Sequence, residues 1–78
     1  MKDRIKELLQ EILIKVYEIN ENTRYDVIFS FSGPSKSIYV HYFLKDKIHT
    51  LGNAYLDLAD GIEKLEEILE KLNELEEK

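Results

Sequence analysis

The sequence predicts an α+β domain in which two helices pack on one face of a three-stranded antiparallel sheet. Apolar residues recur at helical spacing near both ends of the chain, whereas the middle alternates at strand spacing and is divided by turn-forming residues. No linker, repeat or low-complexity tract interrupts the 78 residues, so residues 1–78 are expected to form a single domain. The predicted order of elements is α-β-β-β-α.

The first helix is predicted over residues 4–19. Six apolar side chains share one of its faces: Ile5, Leu8, Leu9, Ile12, Val16 and Ile19. Asp3 is placed to cap the N-terminus of this helix, and the polar run from Asn20 to Thr23 ends the apolar periodicity. Ile14 falls roughly opposite the apolar face, so we expect it to be exposed unless a partner covers it.

Two strands are predicted over residues 24–32 and 36–45, which are rich in aromatic and β-branched side chains. Gly33 and Pro34 lie in the short loop between them, so the two strands should form an antiparallel hairpin. The second strand is apolar or aromatic on both faces. One face carries Ile38, Val40, Tyr42 and Leu44, and the other carries Tyr39, His41 and Phe43.

The stretch 50–58 fits either a strand or a backward extension of the last helix. Read as a strand, it places on the core face Ala54, Leu56 and Leu58. We expect a short third strand near 54–58, because Asp60 and Glu63 resemble a capping pair at a helix start. A third strand would also stabilise an otherwise marginal hairpin.

The last helix is predicted over about 61–77, and its outer side is acidic. Residues 60–78 hold eight acids against three lysines, which accounts for the whole net charge of −5. The candidates for an acidic contact with a basic or nucleic-acid-binding partner protein are Glu63, Glu66, Glu67, Glu70 and Glu74. The alternative interpretation of these glutamates is a solvated helix face with ion pairs at helical spacing.

Two helices can cover only one face of the sheet, and the more continuously apolar face should be the covered one. Its expected members are Tyr25, Val27, Phe29, Phe31, Ile38, Val40, Tyr42, Leu44, Leu56 and Leu58. The candidate interface residues are Ile28, Tyr39, His41, Phe43 and Tyr55 on the other face, together with Ile14. An aromatic patch with a polar rim is typical of an interaction surface, and a homodimer is expected.

No motif in the chain carries recognisable catalytic or metal-binding chemistry. Cysteine is absent, His41 and His49 lack further ligands at metal-site spacing, and the serines near the hairpin lack the Gly-x-Ser-x-Gly pattern. We therefore expect a non-enzymatic protein without metal or cofactor, and without direct nucleic-acid contacts. No apolar run is long enough to span a membrane and no signal peptide is recognisable, which makes a cytoplasmic location the expectation.

Two segments give the chain a resemblance to known proteins. Tyr25-Asp-Val-Ile-Phe-Ser-Phe-Ser-Gly leads into Ile38-Tyr-Val-His, and the chain ends in a Glu-Lys-Leu-Glu-Glu-Ile-Leu-Glu-Lys-Leu tail. With the small size, the acidity and the element order, these segments resemble small acidic phage and prophage accessory proteins, including anti-CRISPR and other counter-defence proteins. The resemblance implies a stoichiometric inhibitor of a host defence protein or other host protein, acting in the host cytoplasm.

The predicted function is therefore a protein–protein interaction module that acts by binding. Two alternatives remain open: a structural homodimer of another role, and a protein that sequesters a small molecule such as a nucleotide signal between subunits. The second alternative needs cations near the ligand. The available ones are Arg24, Lys36, Lys45 and Lys47.

Overall fold

A computed structural model describes residues 2–77 and shows five elements in the predicted order. They are α1 (Lys2–Asn22), β1 (Asp26–Ser32), β2 (Ser37–Leu44), β3 (Lys47–Tyr55) and α2 (Gly61–Glu77). The strands form one antiparallel sheet in the order β1-β2-β3. The α+β class, the element order and the three-stranded antiparallel sheet are thus confirmed. Asp3 lies in the first turn of α1 and not before it.

The core lies between the sheet and a layer formed by both helices. The largest fully buried side chains come from all three parts: Leu8, Ile12, Ile19, Ile38, Val40, Leu65, Ile68 and Leu72. Arg4 contacts Glu66 near the start of both helices, and Lys15 contacts Glu76 further along both, so α1 and α2 run parallel. α1 packs against β1 and α2 packs against β3.

The third strand is longer than predicted and lies earlier in the chain than 54–58. Lys45 and Asp46 have φ angles of 52° and 66°, which form the two-residue turn that joins β2 directly to β3. The chain turns at 56–60, where Leu58 is 58% exposed, so its predicted core position was wrong. Leu56 is only partly buried.

A bulge in β3 decides which of its side chains face the core. Val40 pairs with Gly52 and His41 pairs with Thr50, which leaves Leu51 as the extra residue. Leu51 is buried, as is Ala54 further along the strand. The alternation of core-facing and outward-facing side chains along β3 therefore shifts by one residue at the bulge.

Phe31 was predicted to be covered, yet it is 56% exposed. It lies on the helix-facing side of β1, but β1 is an edge strand, and among residues 2–77 no element lies beyond it. α1 therefore covers Phe31 incompletely. The pattern of alternation gave the correct side of the strand and the wrong degree of burial.

Candidate functional site

The face of the sheet opposite the helices carries a row of aromatic rings along β2. The ring centroids of Tyr39 and His41 are 4.8 Å apart, and those of His41 and Phe43 are 5.6 Å apart with the rings edge to face. The spacing follows from the strand period of two, which places alternate side chains on one face. The row is continuous through the centre of the sheet.

Neighbouring strands widen this row into a patch. Ile28 of β1 pairs with His41, Ile48 of β3 pairs with Phe43, and Tyr55 pairs with Ser37. We call this patch the open face; it consists of Ile28, Tyr39, His41, Phe43, Ile48 and Tyr55. Its exposed hydrophobic members range from 38% exposure for Tyr39 to 61% for Ile48, whereas Phe43 is partly buried.

Sequence reasoning identified five of these six residues and missed Ile48. The omission follows from the unrecognised start of β3, because Ile48 was left outside any strand. The alternation of Ile48 and Thr50 with Lys47 and His49 is the signal that could have revealed it.

Polar groups frame the open face and hold part of it in place. The hydroxyls of Tyr39 and Thr50 are hydrogen-bonded at 2.9 Å, which orients the Tyr39 ring across two strands. The register places polar side chains around the aromatic row: Ser30, Ser37, Thr50 and Asn53. An apolar centre with a polar rim is the usual anatomy of a protein interface.

His41 lies on the open face mainly as a packed ring. Its Nδ1 atom is buried and has no hydrogen-bond partner among residues 2–77. His49 is on the other face of the sheet, where it stacks on Tyr42 at a centroid distance of 4.9 Å and an interplanar angle of 16°. The two histidines therefore do not share a site, and within the described range no three potential metal ligands converge.

Ile14 does not belong to the open face. It is exposed on the outer surface of the helix layer, where it lines a groove between α1 and α2 with Leu69 and Asn73. The structure therefore separates this candidate from the other five predicted interface residues, which lie together on the sheet.

The five candidate glutamates are exposed along the outer side of α2, opposite its buried leucines. Glu66 forms an ion pair with Arg4 of α1 at 3.3 Å, and Glu67 forms one with Lys64 at 3.8 Å. Two of the five are thus partly neutralised by the protein's own cations. The acidic side of α2 faces away from the sheet, so it is separate from the open face.

A second apolar surface lies where α1 overhangs the edge of the sheet. Leu9, Gln10 and Leu13 of α1 and Phe29 and Phe31 of β1 line a groove of about 270 Å³ there. The sequence pattern placed Leu9, Phe29 and Phe31 on core-facing surfaces. The groove arises because β1 ends the sheet.

The cations required by the ligand-sequestering alternative lie at both ends of the sheet. Lys36 is in the turn between β1 and β2, whereas Lys45 and Lys47 are at the turn between β2 and β3. Arg24 precedes β1, close to the end of β2. The structure therefore does not bring the four side chains together.

Over the part of the chain that the structure describes, neither helix is long and apolar enough to cross a membrane. Comparison of the sequence with family models, curated proteins and solved structures gives no match. The function is accordingly inferred from the surfaces of this chain alone.

Proposed function

We propose that this protein is a non-enzymatic protein-binding module that assembles as a homodimer through its open face. The observation that supports the proposal is the continuous aromatic and aliphatic patch on the side of the sheet that α1 and α2 leave uncovered. Two copies related by a two-fold axis would pack these patches about 10 Å apart, as the sheets of a β-sandwich do.

The energetic scale supports a reversible dimer. Ile28, Tyr39, Ile48 and Tyr55 are about half exposed, and burying the rest of each side chain contributes on the order of 1 kcal/mol. Over two copies this sum is comparable to an association cost of roughly 4–15 kcal/mol. The hydrogen bond between Tyr39 and Thr50 reduces the ordering cost on binding. We therefore expect weak association, with a dissociation constant in the millimolar range.

The open face favours a protein partner over a nucleic acid. Single-stranded nucleic acids require a cationic groove beside stacking aromatics. Here the uncharged polar positions that border the aromatic row are serine, threonine and asparagine, and the charged residue paired with Phe43 is the acid Asp26. The resemblance to phage accessory proteins supports the further proposal that binding blocks a host protein stoichiometrically.

The test is the molar mass in solution. Light scattering of the wild type from about 1 μM to about 1 mM should show a rise from 9.2 kDa toward twice that value. The double variant Tyr39→Ser, Phe43→Ser should remain monomeric over the same range. The control is Leu58→Ser, which removes an exposed apolar side chain outside the open face and should dimerise as the wild type does.

Circular dichroism should confirm that all three proteins are folded. A wild type that stays at 9.2 kDa over the whole range would refute the dimer. The same conclusion would follow if the open-face variant and the Leu58 control behaved alike.

A further inference from the structure

We propose that the edge of β1 receives one extended segment of a partner protein as a fourth strand, beneath the overhang of α1. This inference rests on the proposed function only in that the protein acts by binding. It uses a surface that is separate from the open face, so the two proposals can fail independently.

The helix layer is wider than the sheet it covers. Neighbouring helices lie 8–10 Å apart, so two helices span about 20 Å, whereas three strands at a spacing of about 4.8 Å span about 14 Å. The extra width of the helix layer lies at the β1 edge of the sheet. Leu51 and Ala54 of β3 are buried, while Leu13 of α1 and Phe31 of β1 are 55% and 56% exposed. The groove at this edge therefore has the position of a missing fourth strand.

The backbone of β1 supplies the hydrogen bonds for that strand. Alternate residues of an edge strand direct both N–H and C=O away from the sheet. Val27 is one of them, since its N–H donates to Oδ1 of Asn20 at 2.7 Å and its C=O accepts from Nδ2 of Asn20 at 2.9 Å. By the same alternation the backbone N–H and C=O groups of Phe29 and Phe31 point away from the sheet. Within residues 2–77 no hydrogen bond to these backbone groups is formed.

Asn20 therefore limits where a partner strand can pair. It occupies the outward groups of Val27 and leaves those of Phe29 and Phe31 open. Pairing at both residues would form about four hydrogen bonds. The side chains of Phe29 and Phe31 line the groove, so the open backbone groups and the apolar pocket lie side by side.

The opposite edge of the sheet is a poorer template. β3 begins with Lys47 and is interrupted by the bulge at Leu51, and charged residues and bulges are features that discourage pairing at edges. β1 also begins with a charged residue, Asp26, but it has no lysine, proline or bulge from there to Ser32. This asymmetry directs strand addition to β1.

A second copy of the chain does not fit this edge. Two copies paired through β1 would bring their α1 helices about one strand spacing apart, roughly 5 Å, because each α1 packs over its own β1. Helices need about 8–10 Å. The occupant is therefore a segment without its own helix cover, such as an extended stretch or a free edge of another protein.

The groove also defines the chemistry of the segment. Every second side chain would enter the space between Leu13 and Phe31, so those positions must be aliphatic or aromatic. Lys6 and Lys36 line a separate depression beside the turn after β1, together with the acid Asp57. An acidic residue at the end of the segment nearest that turn would complement the excess positive charge.

The probe for the test is a synthetic acetylated peptide, Asp-Val-Thr-Phe-Thr-Val-Thr-amide, which is acidic at the end that reaches Lys6 when it pairs antiparallel to β1. We expect saturable binding by calorimetry and slower hydrogen exchange at the amides of Phe29 and Phe31. Two control peptides should bind at least tenfold more weakly. One has lysine in place of aspartate, and the other has N-methyl groups on alternate residues.

Two protein variants assign the site. Leu13→Glu should weaken probe binding at least tenfold, whereas the matched control Leu58→Glu, at a similarly exposed leucine, should not change it. Tyr39→Ser with Phe43→Ser should bind the probe as the wild type does, because it alters only the open face.

Three results would overturn the proposal. The first is no probe binding at millimolar concentration with unchanged exchange at Phe29 and Phe31. The second is binding that Tyr39→Ser with Phe43→Ser abolishes and Leu13→Glu retains. The third is a dimer that Leu13→Glu dissociates, because a second copy would then occupy the edge. A monomeric wild type that binds the probe would refute only the homodimer.

Discussion

At the scale of single residues, Gly52 permits the close approach of α2 to the sheet. A Cβ atom added at Gly52 would lie 2.8 Å from Cγ1 of Ile68 and 3.4 Å from its Cδ1. Ile68 is buried in the core, so its side chain has little room to move away. Position 52 therefore needs glycine for a packing reason that the sequence pattern does not reveal.

We predict that Gly52→Ala lowers the free energy of unfolding by about 1–3 kcal/mol, the usual cost of overpacking a core. Gly33→Ala is the matched control, because a Cβ there would meet no atom within 4 Å. It should be neutral or slightly stabilising, since alanine reduces the freedom of the unfolded chain. Urea unfolding measures the free energy of unfolding of both variants. Equal values would contradict the predicted clash between a Cβ atom at position 52 and Ile68.

At the scale of elements, the turn between β2 and β3 is formed by residues that do not favour it. Lys45 and Asp46 both adopt positive φ, where side chains with a Cβ are strained. Asn-Gly is the preferred pair for such a turn. We predict that Lys45→Asn with Asp46→Gly raises the free energy of unfolding by about 1 kcal/mol. Thermal unfolding measures the change in stability. A melting temperature below that of the wild type would argue against the positive-φ turn at these two residues.

Lys15 joins the two parallel helices by an ion pair whose stability contribution depends on pH. The hydrogen bond that Lys15 donates to Glu76 at 2.8 Å raises the pKa of its ammonium above the ordinary value of 10.5; burial opposes the shift, and the charges of Glu76 and Glu18 add to it. Because the folded-state pKa is raised, the stabilisation is complete below pH 10.5. It is lost as the pH rises through the folded pKa.

We predict that Lys15→Met lowers stability at pH 8 by roughly 0.2–1 kcal/mol, the range of partly exposed pairs. The difference between wild type and variant should begin to shrink above pH 10.5 and should be lost once the pH passes the raised folded-state pKa, where Lys15 of the folded wild type is uncharged. Denaturant unfolding at several pH values tests this. A difference that is constant up to pH 12 would mean that methionine changes packing and not the ion pair.

At the scale of the whole molecule, the open face and the acidic side of α2 lie on opposite sides. A partner seated on one would have to wrap around the domain to reach the other. We therefore predict that Glu63→Lys, Glu70→Lys and Glu74→Lys together leave the dimer mass unchanged. Light scattering at matched ionic strength measures it, and dissociation of the dimer would place these glutamates at the interface.

Much of the candidate site could be predicted because it depends on local periodicity. Tyr39, His41 and Phe43 alternate with core residues along β2, and the length of the chain allows only one helix layer. Ile48 could not be found in this way, since it depends on the turn at Lys45 and Asp46. The groove at Leu13 and Phe31 was missed because exposure at an edge depends on what lies beyond the strand.

The sequence by itself determined the helices, the first hairpin, the α+β class and the two-sided character of β2. These follow from side-chain spacing, which is a property of neighbouring residues. Only the tertiary structure decided the bulge at Leu51, the two hydrogen bonds from the Asn20 side chain to the Val27 backbone, and the overhang of α1 beyond β1. The overhang depends on how wide the helix layer is relative to the sheet, and the other two depend on how separate segments of the chain pair with each other. Such quantities exist only once distant segments have packed together.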